Sequence, residues 1–316
     1  MPKRGYLRWL LPVSVLVLLV LFAVGFIIGP LGKSMFGDLG LPSWLSVDKP
    51  EPKLPAEEIF HLFGFPITNT LVAAWFTIIF LVGFSYAVTR RMKLVPARLQ
   101  TIFEALLGGL YNFCQSVAGE ENGRRFFPIV ATIFLFVAFN AWLSLIPGFG
   151  SITVTTAEGE HIHLLRGANT DINMPLALAL VSFVFVEYFG LRSRGFRYLG
   201  KFINVGQFFR SIGHIVRGRL RDGLSGLITG FIHIFVGILE TLSELIRIVS
   251  FTFRLFGNMT AGEILLLIAA FLVPWVFALP FYGLELLVGF VQALIFAGLT
   301  LVFLTIAVAP HGAEAA

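Results

Sequence analysis

The chain has 316 residues, 57% of them hydrophobic and only 13% charged, with a mean hydropathy of +0.88. A soluble domain of this length needs far more surface charge, so the composition excludes the ordinary globular class and places the chain in a membrane. The net charge of +5 does not argue for nucleic acid, because the basic residues sit in loops beside hydrophobic spans, where orientation and lipid contact account for them. The apolar runs reach about 20 residues or more, as a hydrocarbon slab of roughly 30 Å requires, and about five to six such helices are expected. No alternation of apolar and polar residues marks a membrane barrel. The predicted class is therefore all-α, a polytopic helical membrane protein. The single cysteine, Cys114, excludes a disulfide framework, a CxxC redox pair and a thiolate zinc cluster.

Residues 1–29 begin with Lys3, Arg4 and Arg8 and continue as an apolar run from Leu10 to about Gly29. Only a weak small-x-small site, Ala23-Val24-Gly25, is present, so the run reads as an uncleaved signal-anchor helix that exports the segment after it. Residues 30–66 are rich in Pro, Gly and charge and read as an external loop. The remainder, 67–316, reads as one membrane domain. Its first span runs from about Thr70 to Val88 and stops at Arg90-Arg91-Met92-Lys93. Beyond Pro96, the residues Phe103, Leu106, Leu107, Leu110, Tyr111 and Cys114 recur at helical spacing in a stretch too broken to cross. This predicts an amphipathic helix over 97–118 on the inner surface.

A helical hairpin over 126–192 comes next, with a span to about residue 147 ending at Pro147-Gly148, an external loop to Asn173, and a further span from about Met174 to Leu191. In the loop, Glu160, His161 and His163 cluster, but that spacing alone makes no metal site, and none is assigned. Asp171 and Asn173 either cap the next helix or line an outer vestibule. Glu187 reads as interfacial. A basic internal stretch covers 192–228. Segments 1–8, 90–125 and 192–228 hold three, six and eight Lys or Arg, against three and one in 30–66 and 148–173. The asymmetry places the first set, with both termini, on the cytoplasmic side.

From about Gly230 to Val273 the pattern stays helical without proline for roughly 44 residues, which is about 65 Å, or twice the hydrocarbon thickness. A straight upright span is excluded. With Pro274 and Pro280 flanking a turn and a last helix from about Phe281 to Ala309, residues 230–309 are predicted to form a long tilted hairpin.

The long helix carries His233, Glu240, Glu244, Arg247, Arg254 and Glu263 in apolar surroundings. Each ionised group near a bilayer centre costs about 2.5–3.5 kcal/mol on insertion scales. His233, Glu244, Arg247, Arg254 and Asn258 all fall within about 40° of Glu240 around the helix and form one polar stripe. The spacing of Glu240, Glu244 and Arg247 fits mutual pairing at the helix start as well as a place in a pathway. Arg254 differs, because no acid lies three or four residues to either side. Its guanidinium cannot shed its proton, so a carboxylate must come from elsewhere in the fold or from another chain. Glu263 lies on the opposite side of the helix, about 13 Å further along, and does not pair with Arg254. It can face the last helix, where Glu285 and Gln292 share a face and Tyr282, Gly289 and Gly298 allow close approach. These residues make a second polar lane.

The run SFTFRLFGNMTAGEILL (Ser250–Leu266) closely resembles the signature segment of the ATP synthase subunit a family, and Val291-Gln292-Ala293-Leu294-Ile295-Phe296 resembles its C-terminal glutamine motif. Pro66-Ile67-Thr68-Asn69-Thr70, Phe139-Asn140-Ala141-Trp142-Leu143-Ser144-Leu145-Ile146-Pro147 and Thr170-Asp171-Ile172-Asn173-Met174-Pro175 are similar to further segments, in the family's order. The resemblance covers about residues 55–309. It implies that Arg254 is the essential stator arginine, that Asn258 and Glu263 belong to the half-channels, that Gln292 stands near the arginine, and that Glu240 and Ser250 line the inner access path. Glu285 falls where some members have histidine, which gives this chain two glutamates in the external lane and leaves open which relays the proton.

The resemblance further implies a rotor ring of subunit c, a peripheral stalk subunit b, other ATP synthase subunits and the lipid bilayer as partners. It implies a bacterial plasma membrane location, no cofactor, and no site for ATP chemistry in this chain. An ion-coupled secondary transporter is the alternative, but the internal repeats that such a protein normally shows are missing. No GxSxG, HExxH or paired aspartate motif supports a membrane enzyme.

Overall fold

The computed structural model describes residues 4–37, 49–50, 54–90, 92–93, 98–155, 161–195, 198, 200, 202 and 220–309. Glu160, most of the basic stretch and the tail beyond Ala309 lie outside these residues. In chain order the helices are α1 (Arg4–Ile28), α2 (Pro30–Phe36), α3 (Asn69–Thr89), α4 (Arg98–Ala118), α5 (Glu120–Ser144), α6 (Asn173–Arg194), α7 (Leu220–Leu272) and α8 (Ala278–Val308). Six of them contain stretches long and apolar enough to cross a membrane. The chain is thus a polytopic all-α membrane protein. The apolar runs that define the spans are also what makes them helical, since in lipid every backbone N–H and C=O must be satisfied within its own segment.

Two small antiparallel hairpins add to this, β1 (Glu58–Leu62) with β2 (Phe65–Thr68), and β3 (Thr153–Thr155) with β4 (His161–His163). The first, together with α2, gives regular structure to part of the segment read as loop. Leu62 pairs with Phe65 across a turn in which Phe63 (φ 52°) and Gly64 (φ 82°) are both left-handed, the backbone a two-residue hairpin demands. α7 also begins earlier than the pattern from Gly230 indicated. Leu220, Leu224, Leu227 and Phe231 continue the helical spacing, and no proline interrupts it.

The chain divides into two compact units. The first comprises Met1–Gly83, Phe136–Asp171 and Phe256–Ala293. There α1 meets the turn after α7. A Cβ on Gly25 would collide with the Pro274 carbonyl oxygen and one on Gly29 with that of Leu272, so the small residues admit backbone contact. The Phe22 and Phe277 rings lie 6.4 Å apart beside it. Ala73, Leu143 and Phe149 form a small buried cluster. Buried polar pairs tie the segments together: Thr70 Oγ1 donates to Asp171 Oδ2 at 3.0 Å, and Asn140 Nδ2 donates to Thr77 Oγ1 at 3.1 Å.

The second unit comprises Phe84–Leu135, Ile172–Leu255 and Leu294–Ala316. α4 buries Gln100, Phe103, Leu110 and Cys114 along one face, in keeping with its amphipathic spacing, while Leu99 and Ile102 stay exposed. Gly119 ends α4 in the left-handed region (φ 79°), where its N–H still reaches the Gln115 carbonyl and glycine carries no Cβ penalty. Phe126 meets Phe189 edge-on at 5.2 Å, Phe251 meets Phe296 at 4.8 Å, and the Ser182 and Thr300 hydroxyls hydrogen-bond at 2.8 Å.

Candidate functional site

The first unit encloses a cavity of about 570 Å³ between the 140–170 region, α7 and the start of α8. Glu263 lines it from α7, Tyr282 and Glu285 from α8, and Arg166 and His163 from the 161–170 segment. Arg166 holds Glu263. Its Nε donates to Oε1 at 3.0 Å and to Oε2 at 3.2 Å, its Nη2 donates to Oε2 at 2.9 Å, and its Nη1 donates to the Pro55 carbonyl at 3.2 Å. The planar guanidinium matches both carboxylate oxygens, a geometry an ammonium cannot copy.

Glu285 is in a different situation. Its residue is 8% exposed, and among the described residues no hydrogen bond or ion pair engages its carboxyl group. That carboxyl group lies over Gly262, where a Cβ would coincide with it. Three buried amide atoms on the cavity wall, Nδ2 and Oδ1 of Asn169 and Oδ1 of Asn140, have no hydrogen-bond partner among the described residues.

Elsewhere in this unit Asn258 Nδ2 donates to Gln292 Oε1 at 2.7 Å, joining α7 to α8. Gln292 is 2% exposed and its Nε2 has no partner among the described residues. Asp171 accepts from Thr70, and Ile172 rather than Asp171 holds the N-cap position of α6, without a side-chain capping bond. The bond to Thr70 joins two segments far apart in the chain. Asn173, the first residue of α6, is exposed and belongs to the second unit.

The second unit holds the remaining residues of the stripe. Arg247 pairs with Glu244 at 2.6 Å and lays its guanidinium 3.6 Å from the centre of the Phe303 ring. Glu240 is half-buried one turn earlier. Arg254, also half-buried, reaches only the Ser250 hydroxyl, at 3.5 Å from Nη2. No carboxylate stands within ion-pair distance of it among the described residues. No group of three His, Cys, Asp or Glu is placed to hold a metal among those residues either.

Sequence reasoning singled out Arg254, Asn258, Glu263, Glu285 and Gln292 but missed Arg166, Asn169 and Gly262. Arg166 carried a signal, being the one Lys or Arg in 148–173, a segment assigned to the side where such residues are scarce.

Six apolar helices with ionised and amide side chains set inside the spans define a multi-pass membrane protein built around buried polar groups. A family profile described as "ATP synthase A chain" matches residues 71–305. Relatives named "ATP synthase subunit a" include one from Geobacter sp. (strain M21), 31% identical over 78% of this chain and 91% of its own length. One from Campylobacter concisus (strain 13826) is 33% identical over 79% and 91%. One from Helicobacter pylori (strain Shi470) is 30% identical over 77% and 89%. The chain belongs to the ATP synthase A chain family and is a membrane-sector subunit of a rotary ATP synthase, serving ATP synthesis and proton transport.

Proposed function

We propose that this chain is the proton-translocating stator subunit of its complex, with two half-channels separated by Arg254. The observation that carries the reading is the unpaired state of that arginine: a permanently charged group in an apolar helix, with no carboxylate of its own chain in reach among the described residues. A counter-charge then has to come from another chain. A rotor carboxylate in lipid is stable while protonated, because ionising it there is costly; beside Arg254 it gives up its proton. Asn258, Glu263, Glu285 and Gln292 form the outer half-channel, with Asp171 and Asn173 at its vestibule. Glu240 and Ser250 belong to the inner one. In this reading no continuous water path joins the halves, so a proton rides the rotor between them. Each crossing gains about 2.3 kcal/mol per 100 mV. The cation at Arg254 also repels a proton taking a shortcut.

In this reading the domain 67–316 sits in a bacterial plasma membrane with α1 as its anchor. α4 lies along the inner surface, the 192–228 stretch is cytoplasmic, and the α7–α8 hairpin is tilted. The rotor ring of subunit c and the peripheral stalk subunit b are its neighbours. The test is to purify the complex through a tag on this chain and cross-link a Phe253→Cys variant, since Phe253 is exposed beside the arginine. The expected partner is a short hydrophobic protein of two helices with a mid-span carboxylate, joined through that helix. A reconstituted chain that alone moves a solute against its gradient would instead show a secondary transporter.

A further inference from the structure

The titratable groups that face the outer cavity are Glu57, His163, Arg166, Glu263, Tyr282 and Glu285. Two of them are glutamates on neighbouring helices, and their surroundings differ because of Arg166. We propose that Arg166 is the positioning residue of the outer pathway: by engaging both oxygens of Glu263 it withdraws that carboxylate from proton transfer and leaves Glu285 to take up and pass on the proton. The inference rests on the reading of the chain as a proton-conducting subunit and deepens it.

The geometry separates the two carboxyl groups. Three N–H contacts between 2.9 and 3.2 Å bind Glu263, and the Arg166 side chain that makes them is only 12% exposed. A fourth, to the Pro55 carbonyl, fixes the guanidinium to a separate backbone segment. Moving a proton onto Glu263 breaks this ion pair and leaves a guanidinium that cannot release its own proton. Glu285 carries no such constraint. Its carboxyl group lies over Gly262 on the wall of the same cavity, so a hydronium arriving there can protonate one oxygen and the proton can leave to the next acceptor without disturbing a salt bridge. Arg166 and Glu263 together carry no net charge, so the pair opposes a proton in transit far less than an unpaired guanidinium would.

The test is passive proton conductance through the membrane sector in vesicles of the full complex after removal of its catalytic head, scaled to the amount of assembled complex. Glu285→Gln should lower conductance by on the order of a hundredfold or more. Glu263→Gln should lower it by about tenfold or more, because Arg166 is left in the cavity without its counter-charge. The double variant Arg166→Gln/Glu263→Gln removes both charges and should conduct several-fold better than Glu263→Gln alone. If the glutamine pair assembles poorly, Arg166→Met/Glu263→Leu fills the space with apolar groups. A double variant as impaired as Glu263→Gln alone would overturn the proposal, since Glu263 would then be carrying protons itself. Failure of the underlying reading looks different: Glu285→Gln would conduct, and Glu285→Gln and Arg254→Ala would both pump on ATP addition to complexes that keep the head, as the unaltered protein does.

Discussion

Arg247 and Arg254 lie two turns apart on one face of α7, and among the described residues Arg247 has a counter-charge where Arg254 has none. The Arg247 guanidinium takes Glu244 at 2.6 Å and covers the Phe303 ring. That pair is closed: each charge has its opposite within the fold, which offsets part of the cost of holding them in an apolar helix. Arg254 has a single long bond, to Ser250, among the described residues, and in the proposed function its counter-charge comes from another chain. An arginine completed by its own fold holds the fold together. One left incomplete is, in the proposed function, a receptor for a passing charge.

The contrast breaks most visibly at Arg254. Arg254→Ala should abolish ATP-driven proton pumping in inverted vesicles while the complex still assembles. Arg254→Lys should fail as well, because an ammonium lacks the planar fork and can lose its proton when desolvated. Coupled pumping at normal rates in the lysine variant would remove the special status of this site.

The first unit holds the same kind of contrast between an engaged carboxylate and an unengaged one, and Gly262 is the device that leaves room for the latter. Gly262→Ala puts a methyl group where the Glu285 carboxyl group lies. The carboxyl group must shift, and conductance through the headless sector should fall between about tenfold and a hundredfold, with assembly unchanged. No loss of conductance would mean that the position of Glu285 does not matter to the pathway.

The spans were legible because a helix in lipid advertises itself through continuous apolar length, and the stripe on α7 because helical periodicity projects residues such as His233, Glu240, Arg247 and Arg254 onto one line. Arg254 was legible as well, from the missing acid at neighbouring turns. Arg166 was not, because its partner lies 97 residues away in the chain and no periodicity links a loop to a helix. Close backbone approach was equally hidden: Gly25 and Gly29 in an apolar run read as ordinary helix residues until the carbonyls of Leu272 and Pro274 are placed against them. The β1–β2 hairpin turns at Phe63-Gly64, and a bulky residue with positive φ is not a pairing that turn statistics favour. For Asp171 the sequence left a helix cap and a vestibule both open, and its bond to Thr70, 101 residues away, leaves no pattern in one dimension.

At the closed pair the expected effect falls on the fold rather than on pumping. Arg247→Gln leaves Glu244, 4% exposed, without its cation, at a cost of about 3–5 kcal/mol. Less assembled complex should be recovered from membranes, while each complex that does assemble pumps normally. Adding Glu244→Gln should restore much of the yield. If Arg247→Gln instead assembled fully and pumped poorly, Arg247 would belong with Arg254, and the division between the two arginines would be lost.

The smallest effect is expected at Cys114, where burial acts on a group that can stay neutral. The thiol is fully buried on the inner face of α4, and burial pushes its pKa up to about 11. Raising the pKa of a thiol shrinks the thiolate fraction, and the thiolate is the nucleophile. Alkylation by a maleimide at pH 7.5 should therefore be far slower than for a free cysteine, and should speed up about tenfold for each pH unit towards 10 while the fold holds. Cys114→Ala should leave pumping unchanged, because nothing charged depends on the thiol. Arg254 cannot escape burial in this way: a guanidinium keeps its charge, and only a partner can relieve it. Rapid labelling of Cys114 at pH 7.5 would show that the inner face of α4 is open to water, and the assignment of that face to packing would be withdrawn.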